Sequence, residues 1–284
     1  MSAGAVGVRL DGALAEAERR LSDAGIATPR VDAELLAGHV LGLSRTELRL
    51  GRGRRLTPRE RAALDALVDR RARREPLAYV LGEWGFRRLT LAVDRRVLVP
   101  RPETEVVVER CLDLIRGLDR PDVLDVGSGS GAIALAIADE HRGARVVAID
   151  VSPDALEVAR ENAAAAGLDV TFEQHDVLAG LDGRYDLVVS NPPYVSADEI
   201  EGLEPEVRDW EPRLATVGDG HTRAVAEAAA GVLASGGHVV LEVADDGAER
   251  TCGLLAAIGY SDVRSTPDLT GRDRAVEGRW SNGR

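Results

Sequence analysis

Residues 123–136 read VLDVGSGSGAIALA, and this stretch limits the possible fold more than any other. A short apolar run without helical spacing marks a buried strand. Gly127, Gly129 and Gly131 then turn the chain, and an alanine-rich apolar run restarts it as a helix. A strand followed directly by a helix needs a crossover back to a parallel neighbour. The rest of this half repeats the theme, with apolar runs RVVAID at 145–150, VTFEQHD at 170–176, YDLVVSN at 185–191 and HVVLEVA at 238–244. Helical patterns open at Ala132 and Pro153 and run through 222–234, and two short strands close the chain. This alternation predicts an α/β fold, a doubly wound, mostly parallel sheet of seven strands.

The first quarter has a different texture. Leu10, Leu14, Ala17 and Leu21 recur at helix spacing, and Ala27-Thr28-Pro29 reads as a turn. Thr57-Pro58-Arg59-Glu60 combines a capping hydroxyl, a proline at the first helical position and an acid at the third, which marks a helix start. The RRARR run at 70–74 reads as a solvated helix end whose arginines complement the helix dipole. After Pro76 the sequence turns β-branched and aromatic, with Gly82 and Gly85 as punctuation, which reads as a β-hairpin linker. The expected organisation is a small helical domain at 1–76, the β-hairpin linker at 77–101 and the sheet domain at 102–284.

Composition removes several function classes. A formal net charge of −12 opposes an affinity built on neutralising many phosphates, so direct nucleic-acid binding is not expected. All 36 basic residues are arginine, which excludes Schiff-base chemistry and a P-loop lysine. Cys111 and Cys252 lie far apart in helical patterns, and the five histidines are scattered, so no metal and no disulfide framework are expected. The opening MSAGAVGVRL lacks a charged segment followed by a long apolar core, and no run approaches the roughly 18 apolar residues of a membrane span. The reading is a cytoplasmic monomer with no membrane partner.

The loop at Gly127, Ser128, Gly129, Ser130 and Gly131 is a ligand cradle: glycines allow close approach, and the helix that follows presents free N–H groups. Asp150, 19 residues past Gly131, ends the next strand, where a carboxylate can accept both hydroxyls of a ribose. With Ala132 the loop also satisfies the dinucleotide fingerprint, so spacing alone fits a nicotinamide cofactor as well as S-adenosylmethionine. Asp176, after the third strand, reads either as a cap of the next turn or as an adenine-side contact. All of these fall at the carboxyl ends of strands, where ligands bind in open α/β sheets.

The run VVSNPPYV at 188–195 places Asn191, Pro192, Pro193 and Tyr194 at the same edge. The nitrogen of an amide or exocyclic amine is a poor nucleophile, because its lone pair is delocalised. A catalyst must accept hydrogen bonds from the NH₂ group and aim the lone pair at a methyl carbon. Asn191 Oδ1 and the Pro192 carbonyl are suitable acceptors held by a rigid turn, and Tyr194 can wall or stack against the planar group. No histidine proton shuttle is needed.

VLDVGSGSGAIALA, VVAIDVSPDALEVARENA, VVSNPPYV and the linker VLVPRPETE, in this order behind a helical domain, resemble the bacterial N(5)-glutamine methyltransferases of peptide chain release factors, the PrmC/HemK family. The resemblance runs from about residue 8 to Trp280 and includes EVRDWEPRLA at 206–215 and DLTGRDRAVEGR near the end. It implies a methyltransferase sheet and transfer from S-adenosylmethionine to the glutamine of the Gly-Gly-Gln motif in class I release factors. It also implies that Gly127–Gly131 hold the methionine end, Asp150 the ribose and Val177 the adenine surroundings. Asn191, Pro192, Pro193 and Tyr194 would hold the substrate glutamine, with Arg101, Pro102, Glu103 and Thr104 bordering the cleft and the helical domain docking the release factor. Two positions depart from the family pattern: Gly85, where relatives often have Glu, and Val177, where some have Trp.

Three rivals remain at this stage. An adenine-N6 methyltransferase on DNA or RNA faces the same nitrogen chemistry, but the acidic balance and the lack of a basic target-recognition region oppose it. A nicotinamide dehydrogenase leaves residues 191–194 unexplained. A non-catalytic, translation-associated S-adenosylmethionine binder should have lost the reacting motif, which here is whole.

Overall fold

The structure is a computed structural model that describes residues 8–51, 53–218 and 220–281. Residues 1–7 of the opening segment, read above for a leader, lie outside them. In chain order the helices are α1 (Leu10–Asp23), α2 (Pro29–Leu41), α3 (Arg45–Leu50), α4 (Pro58–Ala72), α5 (Leu77–Leu81), α6 (Thr104–Ile115), α7 (Ala132–Glu140), α8 (Pro153–Ala166), α9 (Pro205–Trp210), α10 (Arg213–Thr216), α11 (His221–Val232) and α12 (Ala248–Ile258). The strands are β1 (Glu83–Phe86), β2 (Leu89–Ala92), β3 (Asp122–Val126), β4 (Arg145–Asp150), β5 (Thr171–Gln174), β6 (Tyr185–Ser190), β7 (Leu233–Glu242), β8 (Ser261–Pro267) and β9 (Asp273–Arg279). They divide into two compact units, Met1–Gly82 with Pro205–Trp210, and Glu83–Glu204 with Glu211–Arg284.

In the helical unit Leu10, Ala17 and Leu21 of the spaced set on α1, joined by Ala13 while Leu14 is only partly buried, pack into one core with Leu36 and Ala37 of α2 and Leu64 and Val68 of α4. Reciprocal capping boxes start α3 at Ser44 and Glu47 and α4 at Thr57 and Glu60. Two sequence expectations change here. Residues 77–81 form a helical turn: Val80 N–H donates to the Pro76 carbonyl at 3.0 Å, and Gly82 in the left-handed region ends the turn. Extended texture yields to burial of Ala78, Tyr79 and Val80, and the hairpin begins only at Glu83, where β1 and β2 pair antiparallel.

The RRARR run is also not a solvated end. Buried Arg71 donates to Asp32 at 2.7 Å and to Glu206 at 2.7 Å, and Arg74 donates to Glu206 at 2.6 Å and to the Gly25 carbonyl at 2.7 Å. Arg70 pairs with Glu75 at 3.0 Å. Helix-end arginines are often solvated, but here carboxylates distant in sequence reach them, Glu206 from more than 130 positions away. That partnership leaves no local signature in the sequence.

The second unit holds a seven-stranded sheet in the order β5-β4-β3-β6-β7-β9-β8. β3 to β7 run parallel and β9 is antiparallel to both neighbours. Both faces are covered. Val123, Leu187 and Val240 point into a core with α6 and α7, while Leu124, Val126, Val188 and Leu241 point into one with α11 and α12. Burial on both sides is why the central strands read as continuous apolar runs. β3 leads to β4 on one side and β6 lies on the other, so the strand order switches direction between β3 and β6. The register pairs Val126 with Ile149 on one side and with Ser190 on the other. The carboxyl ends of three strands therefore finish level, leaving a crevice at the switch point.

Candidate functional site

The crevice is a cavity of about 180 Å³, lined by Gly127, Ser128, Gly129 and Ser130 after β3, Asp150 at the end of β4, His175, Asp176 and Val177 after β5, and Asn191, Pro192 and Pro193 after β6. Arg101 and Thr104 complete the wall. The structure thus brings together nearly every residue singled out from the sequence.

Pro102 and Glu103, expected beside Arg101 and Thr104, are not part of that wall, and two further residues stand apart from it. Gly131, with φ of 81°, caps α7; a Cβ there would sit 3.1 Å from Leu135 Cδ1 and 3.3 Å from Ala159 Cβ, so this glycine serves helix packing. Tyr194, 41% exposed, lines a neighbouring depression together with Glu242 and Thr251 rather than the glycine-loop cavity.

The cradle is built from backbone. Gly127 and Ser128 both donate N–H bonds to the Ile149 carbonyl at 2.8 and 3.0 Å, pinning the loop to β4. Gly127 and Gly129 hold φ of 76° and 53°, and a Cβ at either would meet nothing within 4 Å, so their open side faces free space. The Ser128 hydroxyl is buried with no hydrogen-bond partner. Asn162 of α8 locks the loop from behind, donating to the Ser130 carbonyl at 2.9 Å while exchanging bonds of 2.7 and 3.1 Å with the Ala92 backbone at the end of β2. Asn162 was missed in the sequence because it sits inside a helix pattern; only its type, an amide on a buried helix face, hinted at a bridging role.

Burial pushes the Asp150 carboxyl up, while backbone N–H groups of Ser152, Gly129 and Val151 pull it back. Beneath it, fully buried Asp125 is pushed up to about 7 by burial, countered by the Ala134 N–H and raised further by the Asp150 charge. Asp176 accepts Leu178 N–H at 2.9 Å and so caps a single 3₁₀ turn, Val177–Ala179, while still lining the cavity. The capping role is thus seen directly, at a residue that also faces the cavity. Arg101 lines the cavity with its guanidinium held by buried Glu211 at 2.7 and 2.8 Å. Glu211 therefore sets where Arg101 can reach, a role hidden in the sequence by the 110 positions between them.

The Asn-Pro-Pro-Tyr turn is braced beyond its own prolines. Val195 N–H donates to the Thr216 carbonyl and Gly218 N–H to the Val195 carbonyl. At Gly218 a Cβ would come 2.6 Å from Pro193 Cγ and 2.8 Å from its carbonyl oxygen, so only glycine lets this segment press so closely on the turn. Asn191 Nδ2 approaches the Thr104 hydroxyl at 3.5 Å, which leaves Oδ1 as the acceptor on the other side of the amide. The site can therefore hold a small anionic and ribose-bearing ligand on the β3–β4 side, and a planar NH₂ group beside Asn191.

Comparison with known proteins gives the same outline. Residues 12–82 match the PrmC N-terminal domain and residues 106–203 the Methyltransferase small domain. A release factor glutamine methyltransferase of Deinococcus radiodurans is 45% identical over 278 residues, covering 95% of this chain and 98% of that protein. One from Chlorobaculum tepidum is 43% identical over 263 residues, covering 87% of this chain and 89% of its own length. Among solved structures, a T. thermophilus 16S rRNA N2 G1207 methyltransferase in complex with AdoMet and guanosine superposes with a TM-score of 0.51 at 19% identity, over 68% of this chain and 47% of that one. That likeness is one of fold.

Proposed function

Since this chain belongs to the release factor glutamine methyltransferase family, we propose that it methylates, from S-adenosylmethionine, the side-chain nitrogen of the Gly-Gly-Gln glutamine in class I peptide chain release factors. It is a protein-glutamine N-methyltransferase. The observation that carries the reading is that Asn191 and the glycine cradle line one cavity, so a donor and an acceptor of the methyl group share one enclosure.

The residues present fit the cofactor. The open faces of Gly127 and Gly129 and the unpartnered Ser128 hydroxyl suit the methionine end, and Asp150, fixed by two backbone amides, suits the ribose hydroxyls. Val151, Val177 and Leu214 supply apolar walls for the adenine. When bound, S-adenosylmethionine supplies an electrophilic methyl group. Asn191 Oδ1 and the Pro192 carbonyl accept the two N–H bonds of the substrate carboxamide, which orients its nitrogen and favours the charge that builds there during transfer. Holding both partners in one geometry is a category of effect worth up to about 7–11 kcal/mol. Tyr194, on the rim beside the neighbouring depression, contacts the peptide that carries the glutamine rather than its amide plane.

The helical unit is the surface that docks the release factor, and the protein works as a cytoplasmic monomer; no helix among the described residues is long and apolar enough to cross a membrane. The test offers labelled S-adenosylmethionine with a release factor, duplex DNA and RNA in parallel, followed by mass spectrometry of whichever accepts label. Label on the glutamine alone supports the assignment, and label on either nucleic acid refutes it.

A further inference from the structure

Glu242 is the last residue of β7, and the parallel register that pairs Ser190 with Leu241 brings it beside Asn191 at the next position. It is 2% exposed, and its Oε2 has no hydrogen-bond partner. The neighbouring guanidiniums are committed elsewhere, Arg101 to Glu211 and Arg274 to Asp245 and Asp268. Burial raises its carboxyl to about 7, and the Thr104 hydroxyl, on the first residue of α6, pulls it back down; that hydroxyl lies 3.5 Å from Asn191 Nδ2. A buried carboxyl with an unmet oxygen is costly to keep and needs a reason.

A threonine hydroxyl has one proton. If Glu242 accepts it, the oxygen lone pairs are left to accept from Asn191 Nδ2, and the Asn191 amide is turned so that Oδ1 faces the substrate. Without that acceptor the hydroxyl can donate to Asn191 Oδ1 instead. The amide then turns over and meets the substrate NH₂ donor to donor. We propose that Glu242 and Thr104 are positioning residues of the methyl transfer, a carboxyl–hydroxyl pair that fixes which end of the Asn191 amide is presented to the substrate nitrogen. The proposal rests on the reading of Asn191 given under Proposed function.

Thr104→Val and Glu242→Leu test it. Each is expected to lower kcat roughly ten- to hundredfold, with the calorimetric affinity for S-adenosylmethionine changed by less than about threefold. The double variant should lose no more than the worse single one, because both remove the same constraint. Thr104→Ser and Glu242→Gln, which keep the hydroxyl and an acceptor, should recover most of the rate. Glu242→Leu should melt no lower than the parent, which separates lost orientation from lost folding. Additive losses, or full kcat in Thr104→Val, overturn the proposal. A second readout needs no release factor: the Asn191 side-chain NH₂ signals in a ¹⁵N–¹H spectrum, assigned by their disappearance in Asn191→Asp, should be slow to exchange in the parent and fast in Thr104→Val. If the parent transfers no methyl group to a release factor, the functional assignment fails, while these signals still decide the orientation: protection unchanged in Thr104→Val overturns it.

Discussion

The Asp150 carboxylate accepts the Gly129 backbone N–H at 2.9 Å, so a residue of the cavity wall also holds the middle of the glycine loop. Its second oxygen accepts Ser152 N–H at 2.9 Å, which fixes the plane of the carboxylate. Asp150→Ala removes a ligand acceptor and a loop anchor together. Hydrogen bonds to charged groups are worth about 1.5–3 kcal/mol, so S-adenosylmethionine should bind roughly 10- to 150-fold more weakly by calorimetry. Unchanged affinity would refute the ribose assignment.

Asn191→Ala separates the two halves of the cavity. The substrate amide loses an acceptor while the glycine cradle is untouched, so transfer to a release factor should fall by roughly a factor of 10² to 10³ or more. Cofactor affinity should stay within about threefold of the parent. Comparable loss of both in a labelled-methyl assay and a calorimeter would contradict this division of labour.

Gly218→Ala probes the brace behind the turn. The new Cβ collides with Pro193 and with the His221 ring, so the turn must move by a substantial fraction of an ångström. A misplacement of about 1 Å can cost on the order of 100-fold in rate. We expect a lower kcat for glutamine methylation with nearly normal cofactor binding, and a variant with parental kcat would show that the turn tolerates displacement.

Asp125 gives stability a pH dependence. Its folded pKa is raised to about 7 by burial, against roughly 4 when unfolded. The folded state therefore holds an extra proton between those values. The contribution to stability is full below about pH 4 and is lost as the pH rises toward and past 7. Asp125→Asn keeps an acceptor for the Ala134 N–H and cannot ionise. Urea unfolding should show the variant gaining on the parent between pH 4 and 8, by on the order of 2–4 kcal/mol. A difference that does not vary with pH would exclude a titrating Asp125.

Arg71 joins two carboxylates in the helical unit. Arg71→Ala leaves Asp32 and Glu206 without their shared donor, and breaking a buried pair from one side costs about 3–5 kcal/mol. The chemical denaturation midpoint should drop accordingly. A change under about 1 kcal/mol would place these groups in the weak class of surface pairs.

What the sequence carried well was whatever short-range physics controls. The glycine loop, the apolar strands buried on both faces, the Thr57 cap and the position of Asn191 at a strand end all follow from neighbours within a few residues; the cap starts α4, and the glycine loop and Asn191 line one cavity. What it carried poorly depends on partners far along the chain. RRARR looked solvated because Asp32 and Glu206 are remote. Residues 77–81 looked extended because β-branched composition says little about a single buried helical turn. Glu211 and Asn162 reach the site through hydrogen bonds spanning 110 and 32 positions, and Glu242 through the pairing of β7 with β6. Tyr194, expected from its motif to wall the amide, lines the adjacent depression with Glu242 and Thr251.

The chain leaves the sheet unit after Glu204, adds Pro205–Trp210 to the helical unit, and returns at Glu211. During synthesis, then, the amino-terminal unit emerges early yet stays one piece short. Arg71, already paired with Asp32, and Arg74 must wait for Glu206 until the ribosome has translated β3, β4, β5 and β6. A nascent chain cut anywhere before residue 206 carries an unfinished charge cluster, so the first unit to leave the tunnel is not the first that can be completed.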